Sequence, residues 1–102
     1  MSLSETSVQI MFHYIYILRS RSSDEFYTGY TEDLRRRFKE HNQGLNFSTK
    51  AHRPWQLIHY EAYLNEKDAK RREKYLKTGQ GQRLWKRLIK EFIYEQKLKS
   101  KN

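Results

Sequence analysis

Two short apolar runs close together confine the start of this chain to a hairpin. Tyr14-Ile15-Tyr16-Ile17-Leu18 is β-branched and aromatic, a composition that suits a pleated strand. Phe26-Tyr27-Thr28-Gly29 is shorter and ends on a residue that permits close backbone approach. The intervening RSRSSDE has no apolar side chain and reads as a turn. Strands are therefore expected over Phe12–Arg19 and Glu25–Gly29, and between them they display several tyrosines.

The remaining segments supply what covers that hairpin. Thr31-Glu32-Asp33 opens a helix with a hydroxyl cap and early acids, and the helix runs to a stop near Gly44. Leu34 and Phe38 lie one turn apart and face the core, with Arg37 and His41 stacked beside them. Gln43 to Pro54 is a polar loop whose large apolar residues are Leu45 and Phe47. Trp55–Tyr63, WQLIHYEAY, reads as a third strand with apolar atoms on both faces, either central in the sheet or covered by a helix. A second helix spans Leu64–Gly79, capped by Asn65, and Glu73 falls on its inward stripe. A carboxylate there requires a partner: an arginine in a structural ion pair, or a metal or substrate in a functional role. Gly79 and Gly81 end it. A third helix, about Gln82 to Lys97, carries the core stripe Leu84, Trp85, Leu88, Ile89, Phe92 and Ile93. The order β-β-α-β-α-α predicts an α+β domain: a small, mainly antiparallel three-stranded sheet flanked by three helices. Residues 1–10 are expected to form a loose tail, 11–97 the domain, and 98–102 a frayed end.

Charge narrows the partners. The formal net charge is +9 in 102 residues, and residues 55–102 alone hold thirteen basic and six acidic side chains. A localised excess of this kind is what a polyanion-binding face needs, with a solvated charged surface as the plainer alternative. There are no cysteines, which excludes disulfides and thiolate metal sites. No apolar run approaches membrane-spanning length, and the opening MSLSETSVQI lacks the pattern of a signal peptide. A cytoplasmic protein that contacts nucleic acid is the expectation.

In order along the chain stand Tyr14-Ile15-Tyr16, then Tyr27-Thr28-Gly29, then a helical Arg37 followed four residues later by His41, and finally a helical Glu73. This series resembles the GIY-YIG nuclease superfamily, the domain found in the excision-repair nuclease and in homing and restriction endonucleases. The small stand-alone bacterial members are the nearest likeness. The resemblance covers roughly Phe12 to Leu88, and ten residues separate Tyr16 from Tyr27 as the pattern asks. Three positions depart from it. Tyr14 replaces the leading glycine, Tyr30 stands where the repair nuclease has a lysine, and the region after the Glu helix reads TGQGQR, with Gln80 and Gln82 but no asparagine.

The resemblance implies a metal-dependent endonuclease that hydrolyses phosphodiester bonds in DNA, in a repair or recombination setting. The alternative is a nucleic-acid-binding module that keeps the fold without activity, and RNA remains open as a ligand. Tyr16 is implied to activate water, with Tyr27 positioning the phosphate or sharing the proton. Arg37 can donate two parallel hydrogen bonds to phosphate, and His41 can bond a tyrosine hydroxyl or the phosphate. Glu73 is the implied metal ligand, and a sparse oxygen-rich site suits Mg²⁺ or Mn²⁺. An unperturbed tyrosine titrates near 10, so positive charge from the metal and Arg37 is expected to lower Tyr16. Lys50 and Arg53 in the loop, and Lys70, Arg71 and Lys74 on the second helix, are candidates for contacts to the nucleic-acid backbone. No base-reading element is evident, so a protein partner for targeting is a further expectation.

Overall fold

A computed structural model of the protein describes residues 10–100. The expected tail over residues 1–9 and the last two residues of the chain lie outside the described residues. The elements are β1 (His13–Ser20), β2 (Phe26–Thr31), α1 (Leu34–Asn42), β3 (Trp55–Tyr63), α2 (Glu66–Leu76), α3 (Gly79–Leu88) and α4 (Lys90–Ser100), with a single 3-10 turn at Lys50–His52. The sheet is antiparallel in the order β2-β1-β3. Among the described residues no helix is long and apolar enough to cross a membrane.

β1 is central, and β3 lies at an edge. The lost alternation in β3 has a local cause. Ile17 pairs with His59 and Leu18 with Leu57, so Ile58 is an extra residue in the ladder. Such a bulge resets which side chains face which side. Trp55 and Leu57 therefore join one core while the adjacent Ile58 joins the other.

The sheet has a core on each face. On one, Tyr16, Leu18 and Trp55 pack with Tyr27, Leu34, Phe38 and Leu57, so α1 is its cover. On the other, Ile15, Ile17 and Ile58 meet Ala69 and Leu76 of α2 and Trp85 of α3. Side chains of a strand alternate between faces, so β1 alone feeds both cores.

Four helix boundaries differ from expectation. The cap of α1 is Asp33, whose carboxylate accepts from Arg36 N at 3.1 Å, whereas Thr31 is the last residue of β2. Asn65 caps α2 as expected, accepting from Lys67 N and Asp68 N. Gly79 and Gly81, instead of only ending α2, begin α3 behind the cap Thr78. At Gly81 a Cβ would stand 2.0 Å from the Tyr75 carbonyl oxygen, so the two helices meet there backbone to backbone. The largest difference is that the third helix is two. The break falls at Ile89, between α3 and α4, with neither glycine nor proline to signal it. It leaves Trp85 buried, keeps Ile89, Phe92 and Ile93 against the core, and turns Leu88 out to 55% exposure. α4 continues to Ser100, beyond the expected end at Lys97.

Candidate active site

The site forms where α1 lies across β1 and β2. Tyr16 pairs in register with Gly29, and its ring crosses the neighbouring strand above that glycine. A Cβ at position 29 would sit 2.5 Å from the Tyr16 hydroxyl and 2.9 Å from the Tyr27 ring. Gly29 is thus the gap into which the tyrosine fits. The rings of Tyr16 and Tyr27 are 6.2 Å apart, and that of His41 lies 5.6 Å from Tyr16 and 5.0 Å from Tyr27.

A hydrogen-bonded chain runs inward from Tyr16. Its hydroxyl is 2.7 Å from His41 Nε2, and His41 Nδ1 is 2.7 Å from Thr49 Oγ1. All three residues are buried, Tyr16 to 1% exposure. The loop is folded tightly enough to deliver Thr49. Its carbonyl accepts from Trp55 Nε1 at 2.8 Å, and Asn42 exchanges two hydrogen bonds with the Trp55 backbone. The loop residues Ser48 and Thr49 read from the sequence as candidates for backbone contact, and the pairing of Thr49 with His41 was not foreseen. A threonine in a polar loop gives no hint of the histidine eight positions earlier that it will meet.

Burial sets the electrostatics. It pushes the Tyr16 hydroxyl well above the usual tyrosine range, and the neighbouring Tyr27 hydroxyl and the Glu73 carboxylate add to the rise. Arg37 opposes this but is outweighed. The expected lowering is therefore not what the protein alone produces. Burial also lowers His41, assisted by Arg37 and resisted by Glu40, so its imidazole is neutral at neutral pH.

Arg37 is half-exposed at the rim and touches Glu40 at 3.2 Å. Glu73 reaches the site from α2. Its partner is Lys77, one turn on, at 3.1 Å, and not an arginine. The residue preceding Glu73, Arg72, is committed elsewhere, gripping Glu61 through two bonds of 2.8 and 3.2 Å. Among the described residues no three potential ligand side chains of His, Asp or Glu gather into a metal cluster. A cation here would rest on the one carboxylate, with water and phosphate oxygens completing its shell. Glu73 is partly exposed, acts on Tyr16 through its charge and offers hard carboxylate oxygens, so the residues present fit Mg²⁺ or Mn²⁺.

The surface cations expected to meet nucleic acid are dispersed. Lys50 lies over the Phe47 ring at 4.9 Å, and Arg53 donates to the Lys50 carbonyl at 2.8 Å. On α2, Lys70 pairs with Glu66 at 2.8 Å and stands over the Tyr30 ring, Arg71 pairs with Asp68, and Lys74 is exposed. Gln82 donates to the Lys77 carbonyl at 3.4 Å, and Gln80 is exposed.

Residues 12–87 match the GIY-YIG catalytic domain. A UPF0213 protein of Haloquadratum walsbyi is 40% identical over 68 residues, covering 66% of this chain and 75% of that protein. Another, from Clostridium perfringens, is 33% identical over 91 residues, covering 84% and 97%. The solution NMR structure of a UPF0213 protein from Bacillus halodurans is 32% identical, covers 76% of this chain and 85% of that one, and superposes with a TM-score of 0.49. Both motif tyrosines, Gly29, Arg37, His41 and Glu73 fall inside the matched span, and the chain belongs to the GIY-YIG catalytic domain family.

Proposed function

We propose that this protein is an endonuclease that hydrolyses phosphodiester bonds in DNA with Mg²⁺ or Mn²⁺, in repair or recombination. The observation that carries the reading is the buried chain Tyr16–His41–Thr49 beneath Tyr27 and within the fields of Arg37 and Glu73. A purely structural tyrosine needs one hydrogen-bond partner. This one faces a neutral imidazole able to take its proton.

Hydrolysis needs a base for the attacking water. Tyr16 with a raised pKa is a poor base as a free tyrosinate, but a good conduit. With Nδ1–H donating to Thr49, Nε2 accepts from the Tyr16 hydroxyl. As water attacks phosphorus, its proton passes to the Tyr16 oxygen while the tyrosine's own proton moves to His41 Nε2. The water oxygen–phosphorus bond forms, the leaving oxygen–phosphorus bond breaks, and His41 ends as imidazolium. Tyr27 orients the phosphate, and Arg37 exchanges Glu40 for two non-bridging oxygens. Glu73 would hold a divalent cation, which would supply positive charge to offset the charge that develops in the reaction. Lys50, Arg53, Lys70, Arg71 and Lys74 contact the backbone. The ion pairs of Lys70 and Arg71 are exposed and weak, so phosphate can replace the carboxylate.

The test is a cleavage assay on duplex, nicked, flapped and branched DNA and on RNA, with Mg²⁺, Mn²⁺ or EDTA. Metal-dependent nicking that is lost in Glu73→Gln is the expected result. Tight binding with no cleavage of any substrate by the wild type would sink the enzyme reading and leave a binding module.

A further inference from the structure

The opposite face of the sheet carries a groove that the catalytic reading does not use. It lies between the hairpin and α4 and encloses about 540 Å³. Phe26, Phe92 and Ile93 form its apolar side, with Tyr94 at 60% exposure along it. Its cations are Arg19, Lys86, Lys90 and Lys97, and no acidic residue lines it. None of these four joins an ion pair among the described residues, in contrast to Lys70 and Arg71. Lys86 Nζ stands 5.5 Å above the Phe26 ring.

The charge does not stop at the end of the groove. A second cleft shares Arg19 and Gln96 with it and adds Arg21, Lys99 and the serines of the hairpin turn. Asp24 is the one acid there. Six cations against one acid therefore follow a continuous track. Unpaired cations cost solvation energy to crowd together, and a polyanion relieves that repulsion.

From these observations we infer that the α4 groove binds single-stranded nucleic acid, its bases against the aromatic side and its phosphates along the basic rim. Alternating aromatic and cationic groups on a concave surface match an extended strand, whose every base offers a stacking face. A duplex hides those faces, and a lipid surface would not fill a concavity. The geometry also joins groove to site. Phe26 and Tyr27 are consecutive on edge strand β2, so they project to opposite faces of one sheet. A strand held against Phe26 can round that edge to reach Tyr27. Binding here does not depend on cleavage, and a protein without nuclease activity would keep it.

Fluorescence anisotropy tests this with a fluorescein-labelled 15-nucleotide oligo(dT) and a duplex of the same length. EDTA is present throughout, and KCl is varied from 50 to 250 mM. The triple variant Lys86→Ala/Lys90→Ala/Lys97→Ala is expected to weaken single-strand binding at least tenfold. Losing up to three phosphate contacts should reduce the salt slope by about 2. Tyr94→Ala is expected to weaken it about fivefold or more at unchanged slope, and Tyr94→Phe to restore it. Because EDTA removes metal-dependent cleavage, a loss of strand binding in these variants reports on the groove and not on catalysis. All these positions are at the surface, and circular dichroism and thermal melting check that each variant folds. Equal binding by wild type and the triple variant overturns the inference. So does a loss confined to duplex. Two further results count against it if strand binding is unchanged: a change in mass by light scattering, which marks an interface between copies, or a loss of sedimentation with anionic phosphatidylserine vesicles.

Discussion

Both faces of the sheet bury a polar network, and the two are built on opposite principles. Under α1, Tyr16, His41 and Thr49 are joined as neutral groups, and burial keeps them neutral by raising the tyrosine and lowering the histidine. Toward α2, Glu61 is held as a charge. Burial alone would raise its pKa, but hydrogen bonds from Arg72, His59 and Tyr63 and the Arg72 charge take it down to about 2. A carboxylate satisfied by three donors has nothing left to exchange. A neutral hydroxyl–imidazole chain can move a proton without creating an unpaired buried charge at its start. The contrast separates a structural network from a chemical one.

Breaking the chemical network should change rate more than stability. Glu73→Gln is expected to lower cleavage about 10³-fold in single-turnover assays while leaving the melting temperature close to wild type. Tyr16→Phe should cost about 10²-fold or more in rate, because the proton path begins at the missing oxygen. It also leaves His41 Nε2 buried without its partner, at about 1–2 kcal/mol in denaturant unfolding.

Breaking the structural network should do the reverse. Arg72→Ala is expected to cost about 2–3 kcal/mol, since Glu61 would keep a half-buried charge without its bidentate partner. That is roughly 10 °C in melting temperature for a domain of this size, with unchanged cleavage per folded molecule. Replacing both Arg72 and Glu61 by Met should recover most of the loss.

Acid should separate the faces most finely. His41 has a folded pKa below its ordinary 6.5, so the unfolded chain takes up a proton that the folded site refuses. Stability from this face therefore begins to fall as pH drops below 6.5. Glu61 has a folded pKa of about 2 against an ordinary 4.5, and its contribution persists above 4.5 and is lost between 4.5 and 2. Unfolding free energy followed against pH should show two declines. The upper one should shrink in His41→Gln and the lower one in Glu61→Gln. Identical profiles for both variants would erase the distinction drawn here.

These differences were unevenly legible in the residues themselves. Strand positions and the α2 cap follow from local chemistry: β-branched runs, turn residues and an asparagine before an acidic turn. The family was legible because the triplets around Tyr16 and Tyr27, with Arg37, His41 and Glu73, keep its order along the chain. The pairing of Thr49 with His41 was not, since it depends on a partner brought by folding of a loop. Nor was the break at Ile89, where the stripe from Leu84 to Ile93 continues without a breaker and packing alone divides the helix. Charge was legible only as a total. Lys70, Arg71 and Arg72 on α2 each have an acid partner, while the four cations of the α4 groove join no ion pair among the described residues and come from β1, α3 and α4, a difference that a count along the chain does not resolve.

Gly29 carries a consequence for how such chains can change. The Tyr16 ring fills the space that any side chain at position 29 would claim. Two motifs separated in sequence are thus one steric object, a key and its slot. Enlarging residue 29 is tolerable only in a chain that has first given up the ring at 16. The two positions should therefore drift as a pair, so that a relative which loses the tyrosine is also free to lose the glycine.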